Sequence, residues 1–138
     1  MGIDIEQVPF NRSLGIRRCP DPDYLLEVAG SEQLGNHVGT IHAAVILALA
    51  EASAGECLLG HIAVDELVAV VCRSGAKYSK PASGVIRSRV ETSGAEIEAA
   101  LKSLDGKRRT LLDIEVGVFS EDGESVAKFS FTWLVSKR

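Results

Sequence analysis

From Ala43 to Ala50 the chain runs through an unbroken apolar segment, Ala-Ala-Val-Ile-Leu-Ala-Leu-Ala. With Ile41 in front of it, this pattern predicts a helix from Ile41 to about Ala54. Its apolar residues cover every side, and a helix apolar all round is expected to be buried all round. The alanines give it high helix propensity. Thr40 stands where an N-cap is expected and Gly55 where a helix stops.

The periodicity changes after this helix. Leu67 to Cys72 is a β-branched run suited to a buried strand that continues toward Tyr78. Val85 to Val90 alternates apolar and polar residues, as a half-exposed strand does. Ala95 to Leu104 carries Ile97, Ala100, Leu101 and Leu104 at helical spacing. Leu111 to Phe119 and Val126 to Val135 are strands joined by the turn at Glu121-Asp122-Gly123-Glu124. Upstream, Tyr24 to Ala29 reads as a first strand. Residues 1–23 carry Pro9, Pro20 and Pro22 and read as an irregular lead-in, with a short helix or strand near Leu14–Arg18. One strand, one buried helix and then mostly antiparallel strands make an α+β fold with one sheet face covering the helix.

A length of 138 residues suits one domain, 1–138, and 46% hydrophobic residues suffice for its core. A formal net charge of −4 argues against nonspecific nucleic-acid binding, which needs a basic field. Cys19, Cys57 and Cys72 are odd in number and widely spaced, so neither a metal site nor a disulfide framework is expected. The N-terminus lacks a secretion-signal pattern, and the longest apolar stretch is too short to span a membrane. The expected location is the cytoplasm.

Glu51 interrupts the apolar helix. A carboxylate placed there is costly unless paired, and burial raises its pKa. Fifteen positions earlier Asn36 supplies an uncharged donor, and Gly39-Thr40 lead into the helix. The N–H groups of Ala43 and Ala44 lie in the first turn, where no intrahelical acceptor exists, and could hold a carbonyl oxygen or oxyanion. Ala43 and Glu51 are about 12 Å apart along one helix axis, too far to grip one carbonyl group. Two antiparallel copies of the helix about a twofold axis would bring Glu51 of one subunit to Asn36 and the Ala43 N–H of the other. A catalytic reading therefore implies at least a homodimer with composite sites, and a dimer of dimers is compatible with it.

Asn36-His37-Val38-Gly39-Thr40-Ile41-His42-Ala43-Ala44, with Glu51 nine positions after His42, resembles the active-site segment of hotdog-fold acyl-CoA thioesterases. The likeness is greatest to the phenylacetic-acid-pathway type and its uncharacterised relatives. Tyr78-Ser79-Lys80-Pro81-Ala82 is similar to a later segment of that family, and the likeness spans about residues 24–136. The resemblance implies a curved antiparallel sheet wrapped around a long central helix, an acyl-CoA substrate and no cofactor or metal. It implies that Glu51 is general base or nucleophile, that Asn36 places water or thioester, and that the Ala43 N–H polarises the carbonyl. His42 would orient the loop, and Gly39, Thr40, Tyr78, Lys80 and Pro81 would border the substrate.

Lys77, Lys80, Arg87 and Arg89 are candidates for the CoA phosphates, or else a solvated strand face. His-Ala-Ala stands where the family has His-Gly-Gly, and Gly55 carries no hydroxyl one turn beyond the acid. These departures keep a second expectation open, an acyl-thioester-binding protein without catalysis. A third is a hydroxyacyl dehydratase using His37 and Glu51.

Overall fold

The computed structural model describes residues 2–138. Its elements are α1 (Pro9–Leu14), β1 (Arg17–Arg18), β2 (Leu26–Ala29), α2 (Ala43–Leu59), β3 (Leu67–Tyr78), β4 (Val85–Val90), α3 (Gly94–Lys102), β5 (Arg109–Ser120) and β6 (Ser125–Lys137). The strands form one six-stranded sheet in the order β1-β2-β4-β5-β6-β3. Every neighbouring pair is antiparallel.

Strand alternation divides the sheet into two faces. Leu26, Val28, Ile86, Ile114, Val116, Val118, Phe129 and Phe131 are all buried, as are Val45, Leu49, Ala50, Ala54 and Leu58 of α2. Burying the valines, leucines, isoleucines and phenylalanines among them contributes roughly 1.5–3 kcal/mol each. The sheet thus closes over one long helix, and the fold is the hotdog fold.

A chain of buried hydroxyls fixes that helix. The Ser53 hydroxyl of α2 lies 2.6 Å from the Ser88 hydroxyl of β4 and 2.7 Å from the Leu49 carbonyl, within hydrogen-bond reach of both. Ser88 in turn accepts from the Leu26 N–H of β2 at 3.0 Å. Both serines are fully buried. The register between helix and sheet is therefore set by polar contacts as well as packing.

The structure departs from four of these expectations. First, α2 begins at Ala43 with His42 as its cap. Thr40 is instead held in the preceding loop, where its hydroxyl accepts from the Asn36 side chain at 2.8 Å. Second, Gly55 does not end the helix, which runs on to Leu59. A Cβ at Gly55 would stand 3.5 Å from Trp133 and 3.7 Å from Ile5, so tertiary packing closes round the position and outweighs its poor propensity. Third, α2 is not covered on all sides: Ala43 and Ala44 are exposed and Leu47 and Glu51 half-buried. Fourth, β3 is an edge strand that pairs with β6 alone. Its apolar start satisfies a pleated surface, yet Val70 keeps 51% of its exposure.

The lead-in is more ordered than expected. Pro9 at the first turn and Gly15 at φ +77° start and stop α1. Asn11, itself buried, donates from its side-chain amide to the Ile5 carbonyl at 3.1 Å. Arg18 bridges Asp4 at 3.2 Å, Glu6 at 2.6 Å and Glu56 at 2.8 Å. α3 starts with a capping box between Ser93 and Glu96 and buries Ile97.

Candidate functional site

The loop from Gly35 to His42 is built around the Asn36 side chain. Its Oδ1 accepts from the N–H groups of Val38 and Thr40, both at 3.0 Å. Its Nδ2 donates to the Thr40 hydroxyl at 2.8 Å. An asparagine closing its own turn in this way is a local folding device. Gly39 supplies the left-handed residue of the turn at φ +82°. The loop is tied down where Ile41 N–H donates to the Ala82 carbonyl at 2.8 Å and His42 N–H to the Leu34 carbonyl at 2.9 Å.

His42 caps α2 with its ring. Nδ1 accepts from the Ala44 N–H at 2.9 Å, so Nδ1 carries no proton in this arrangement. Val45 and Ile46 donate to the His42 carbonyl. The Ala43 N–H is the first of the helix, where no intrahelical acceptor exists, and among the described residues no other acceptor takes it. Of the two amides singled out from the sequence, Ala44 is spent on the cap and Ala43 is left open.

Ala43 borders a cleft of about 360 Å³ lined also by Asn36, Thr40, Tyr78, Lys80 and Pro81 among others. Tyr78 leans over the helix terminus, with its hydroxyl 3.4 Å from the Ala43 carbonyl and its ring edge-on to Phe129. Burial raises the Tyr78 pKa. Lys80 pairs with Glu124 of the β5–β6 hairpin. Gly39 lies in an adjoining hollow with Asn36, Thr40 and Gly84.

Glu51 lies elsewhere. It borders a second cleft, about 340 Å³, with Phe10, Leu47, Val71, Ser74 and Phe131. Desolvation raises the Glu51 pKa above its ordinary value of 4.5. Among the described residues no group pairs with or hydrogen-bonds to its carboxylate at contact distance. Both clefts follow the seam between α2 and the edge strand β3, since Tyr78 borders one and Val71 and Ser74 the other. The carboxylate and the open amide of one chain thus stand in separate clefts along one uncovered seam.

Arg87 and Arg89 are not brought to either cleft. Arg87 lies 3.8 Å from the buried Glu27 carboxylate, which also holds Arg17 at 2.7 Å. The Arg89 guanidinium lies 4.8 Å from the Tyr24 ring centroid and 4.7 Å from that of Phe119, against two rings that touch each other. In β4 the buried Ile86 and Ser88 point to α2, so Arg87 and Arg89, alternating with them, point to the opposite face. Lys77 pairs in register with Lys128 on that outer face, away from Lys80. His37 is exposed and lines neither cleft. His61 bonds to Glu98 at 2.7 Å, linking the end of α2 to α3. Among the described residues no cluster of three or more His, Cys, Asp or Glu side chains could hold a metal, and no helix is long and apolar enough to cross a membrane.

Phe10, Leu47, Val71, Ser74 and Phe131 escaped the sequence reading as cleft residues. Phe10 alone had a local signal, the Pro9 start and Gly15 stop of a short helix. The others surround Glu51 through tertiary packing, which spacing does not reveal.

The fold is of the hotdog class. A family model described as a domain of unknown function, DUF4442, matches residues 8–135, and the chain belongs to that family. No curated protein matches it. Among solved structures, a probable thioesterase of unknown function from Pseudomonas aeruginosa, PA5026, is 22% identical with a TM-score of 0.83, over 97% of this chain and 91% of that one. The thioesterase SAV0944 from Staphylococcus aureus is 8% identical with a TM-score of 0.69, over 94% and 99%. BH2602 from Bacillus halodurans, solved with CoA, is 18% identical with a TM-score of 0.62, over 80% and 69%. At these identities the likeness establishes the fold.

Proposed function

We propose that the protein hydrolyses the thioester of an acyl-CoA in a composite site made by two copies of the chain. The observation that carries this reading is the separation of the half-buried, unpartnered Glu51 from the open Ala43 N–H along a seam that one chain leaves uncovered. An antiparallel copy of α2 laid on that seam would bring the acid of one subunit to the amide of the other. The CoA bound to BH2602 and the thioesterase names of PA5026 and SAV0944 support the substrate class.

In this reading the Ala43 N–H donates to the thioester carbonyl oxygen and strengthens that bond as negative charge develops. Glu51 takes a proton from water as the water oxygen attacks the carbonyl carbon. The C–S bond then breaks, and the thiolate of CoA leaves with the proton returned from Glu51. A carboxylate whose pKa is raised by desolvation is a stronger base than an exposed one, which suits this role. Asn36 serves by fixing the loop that aims the Ala43 N–H, and Tyr78 and Lys80 border the path of the substrate.

Glu51→Gln tests the reading. Thiol release from acyl-CoA substrates should fall by about 10²–10⁴-fold, the usual contribution of a general base, with the circular dichroism spectrum and assembly size unchanged. Unaltered turnover would overturn the assignment. One observation favours a second reading, acyl-thioester binding without hydrolysis: the Asn36 side chain is occupied within its own loop. Tight binding of acyl-CoA by the unsubstituted protein with no thiol release would select it.

A further inference from the structure

The Glu51 cleft has one wall from outside the sheet and α2. Phe10, on α1, borders it opposite residues of α2, β3 and β6. Phe10 is 61% exposed, so it stands at the rim and adds little to the core, in contrast to Phe131 at 1% on the inner wall. Its backbone is nevertheless fixed. The carbonyl of Phe10 accepts from the Ser13 hydroxyl at 2.6 Å, the neighbouring Asn11 is anchored to Ile5, and Gly15 closes the short helix in the left-handed conformation. A rigid stub thus carries a large apolar side chain at the edge of the cleft.

The cleft is about 340 Å³, against the ~150 Å³ of a dry apolar cavity that admits one benzene ring. That is room for an aromatic ring or a short alkyl chain together with its carbonyl group. Phe10 stands at the rim of this cleft, so a longer chain that ran along the α1 side would lie against its ring. The walls from Phe10, Leu47, Val71 and Phe131 are apolar, and Glu51 is the one ionisable side chain among the lining residues. A second carboxylate brought in on the acyl group would meet Glu51 in poorly hydrated surroundings, where like charges oppose each other strongly.

We propose that Phe10 is a specificity-determining residue that limits the Glu51 cleft to compact, uncharged acyl groups, aryl or short alkyl. This rests on the reading above that the acyl thioester lies beside Glu51. Glu51 sets where the carbonyl reacts, and Phe10 sets how much of the acyl group fits beyond it.

The test uses the full chain, unsubstituted and as Phe10→Ala, Phe10→Leu and Phe10→Trp, each checked for fold by circular dichroism. Non-hydrolysable thioether analogues of benzoyl-, butyryl-, hexanoyl-, decanoyl- and glutaryl-CoA are titrated calorimetrically, and the matching thioesters are assayed for thiol release. Phe10→Ala should raise decanoyl affinity relative to butyryl affinity by about tenfold or more, the scale on which a pocket discriminates by size. Phe10→Leu should fall between, and Phe10→Trp should weaken hexanoyl and benzoyl binding. The glutaryl analogue should bind at least about tenfold more weakly than the hexanoyl one. One length profile shared by all the folded variants would overturn the proposal, as would equal affinity for glutaryl and hexanoyl analogues. The two readings fail separately. Binding that follows residue 10 without any thiol release leaves Phe10 assigned and removes catalysis. Hydrolysis whose length profile ignores residue 10 does the reverse, and no binding of any analogue overturns both.

Discussion

Replacing Ser88 by alanine probes what holds the Glu51-bearing helix in place. The Ser88 hydroxyl is fully buried, accepts from the Leu26 N–H at 3.0 Å and from Ser53 at 2.6 Å, and lies 3.3 Å from the Leu26 carbonyl. Alanine fits the space but offers no acceptor. Ser53 can still donate to the Leu49 carbonyl at 2.7 Å, so the group left without its partner is the Leu26 N–H. An orphaned buried donor costs about 1–3 kcal/mol. In a domain of this size, ~2 kcal/mol lowers Tm by roughly 6–10 °C. Ser53→Ala is the control. It removes one donor and orphans nothing, and alanine's better helix propensity offsets part of the loss, so it should cost less than ~1 kcal/mol. Urea melts of both single variants and the double variant give the comparison. The double should be less destabilised than the sum of the singles, because the serines share one bond. A Ser88→Ala protein as stable as the unsubstituted one, or a Ser53→Ala protein equally damaged, would refute the network. Ser53 lies two residues beyond Glu51, so loosening it should also lower turnover.

Glu51→Gln should stabilise the fold while it removes activity. Desolvation raises the folded-state pKa above 4.5, so below that value both states are protonated and the full stability is present. As pH rises from there through the raised folded pKa, the unfolded chain releases its proton first and stability is lost. Glutamine escapes that loss, so the Tm advantage of Glu51→Gln should grow between pH 4 and pH 7, and an equal difference at both would contradict the burial argument. Gly55→Ala should stabilise by about 0.5–1 kcal/mol, because the new Cβ meets Trp133 and Ile5 at ordinary contact distance and glycine's entropy cost inside a helix is removed. A fall in the urea midpoint would show that this part of the core is tighter than the spacing implies.

Local patterns made much of the architecture legible. The apolar run at Ala43–Ala50 marked the central helix, alternation marked β4, and the acid-and-glycine turn at 121–124 marked the last hairpin. Glu51 stood out because a charge in an apolar helix has a definite cost. What depended on neighbours was not legible. His42 rather than Thr40 caps α2, since the Asn36 side chain holds the Thr40 hydroxyl in the loop. Gly55 looks like a stop until Trp133 closes over it. The β-branched start of β3 fits a central strand as well as an edge, and only pairing with β6 alone decides between them. Arg87 and Arg89 lie near Tyr78–Pro81 in sequence, but strand alternation turns them to the outer face, where Glu27, Tyr24 and Phe119 hold them.

Whether acid and amide act from different subunits can be read from a mixed dimer. Ala43 is the first residue of α2 and follows an extended His42, so proline fits there and deletes the N–H proposed to hold the oxyanion. Ala43→Pro and Glu51→Gln should each be inactive alone. Co-expressed, half the dimers would carry one of each, and each mixed dimer would hold one intact site, restoring about a quarter of the unsubstituted rate. Activity no greater than that of the two separate variants would contradict a site shared between subunits.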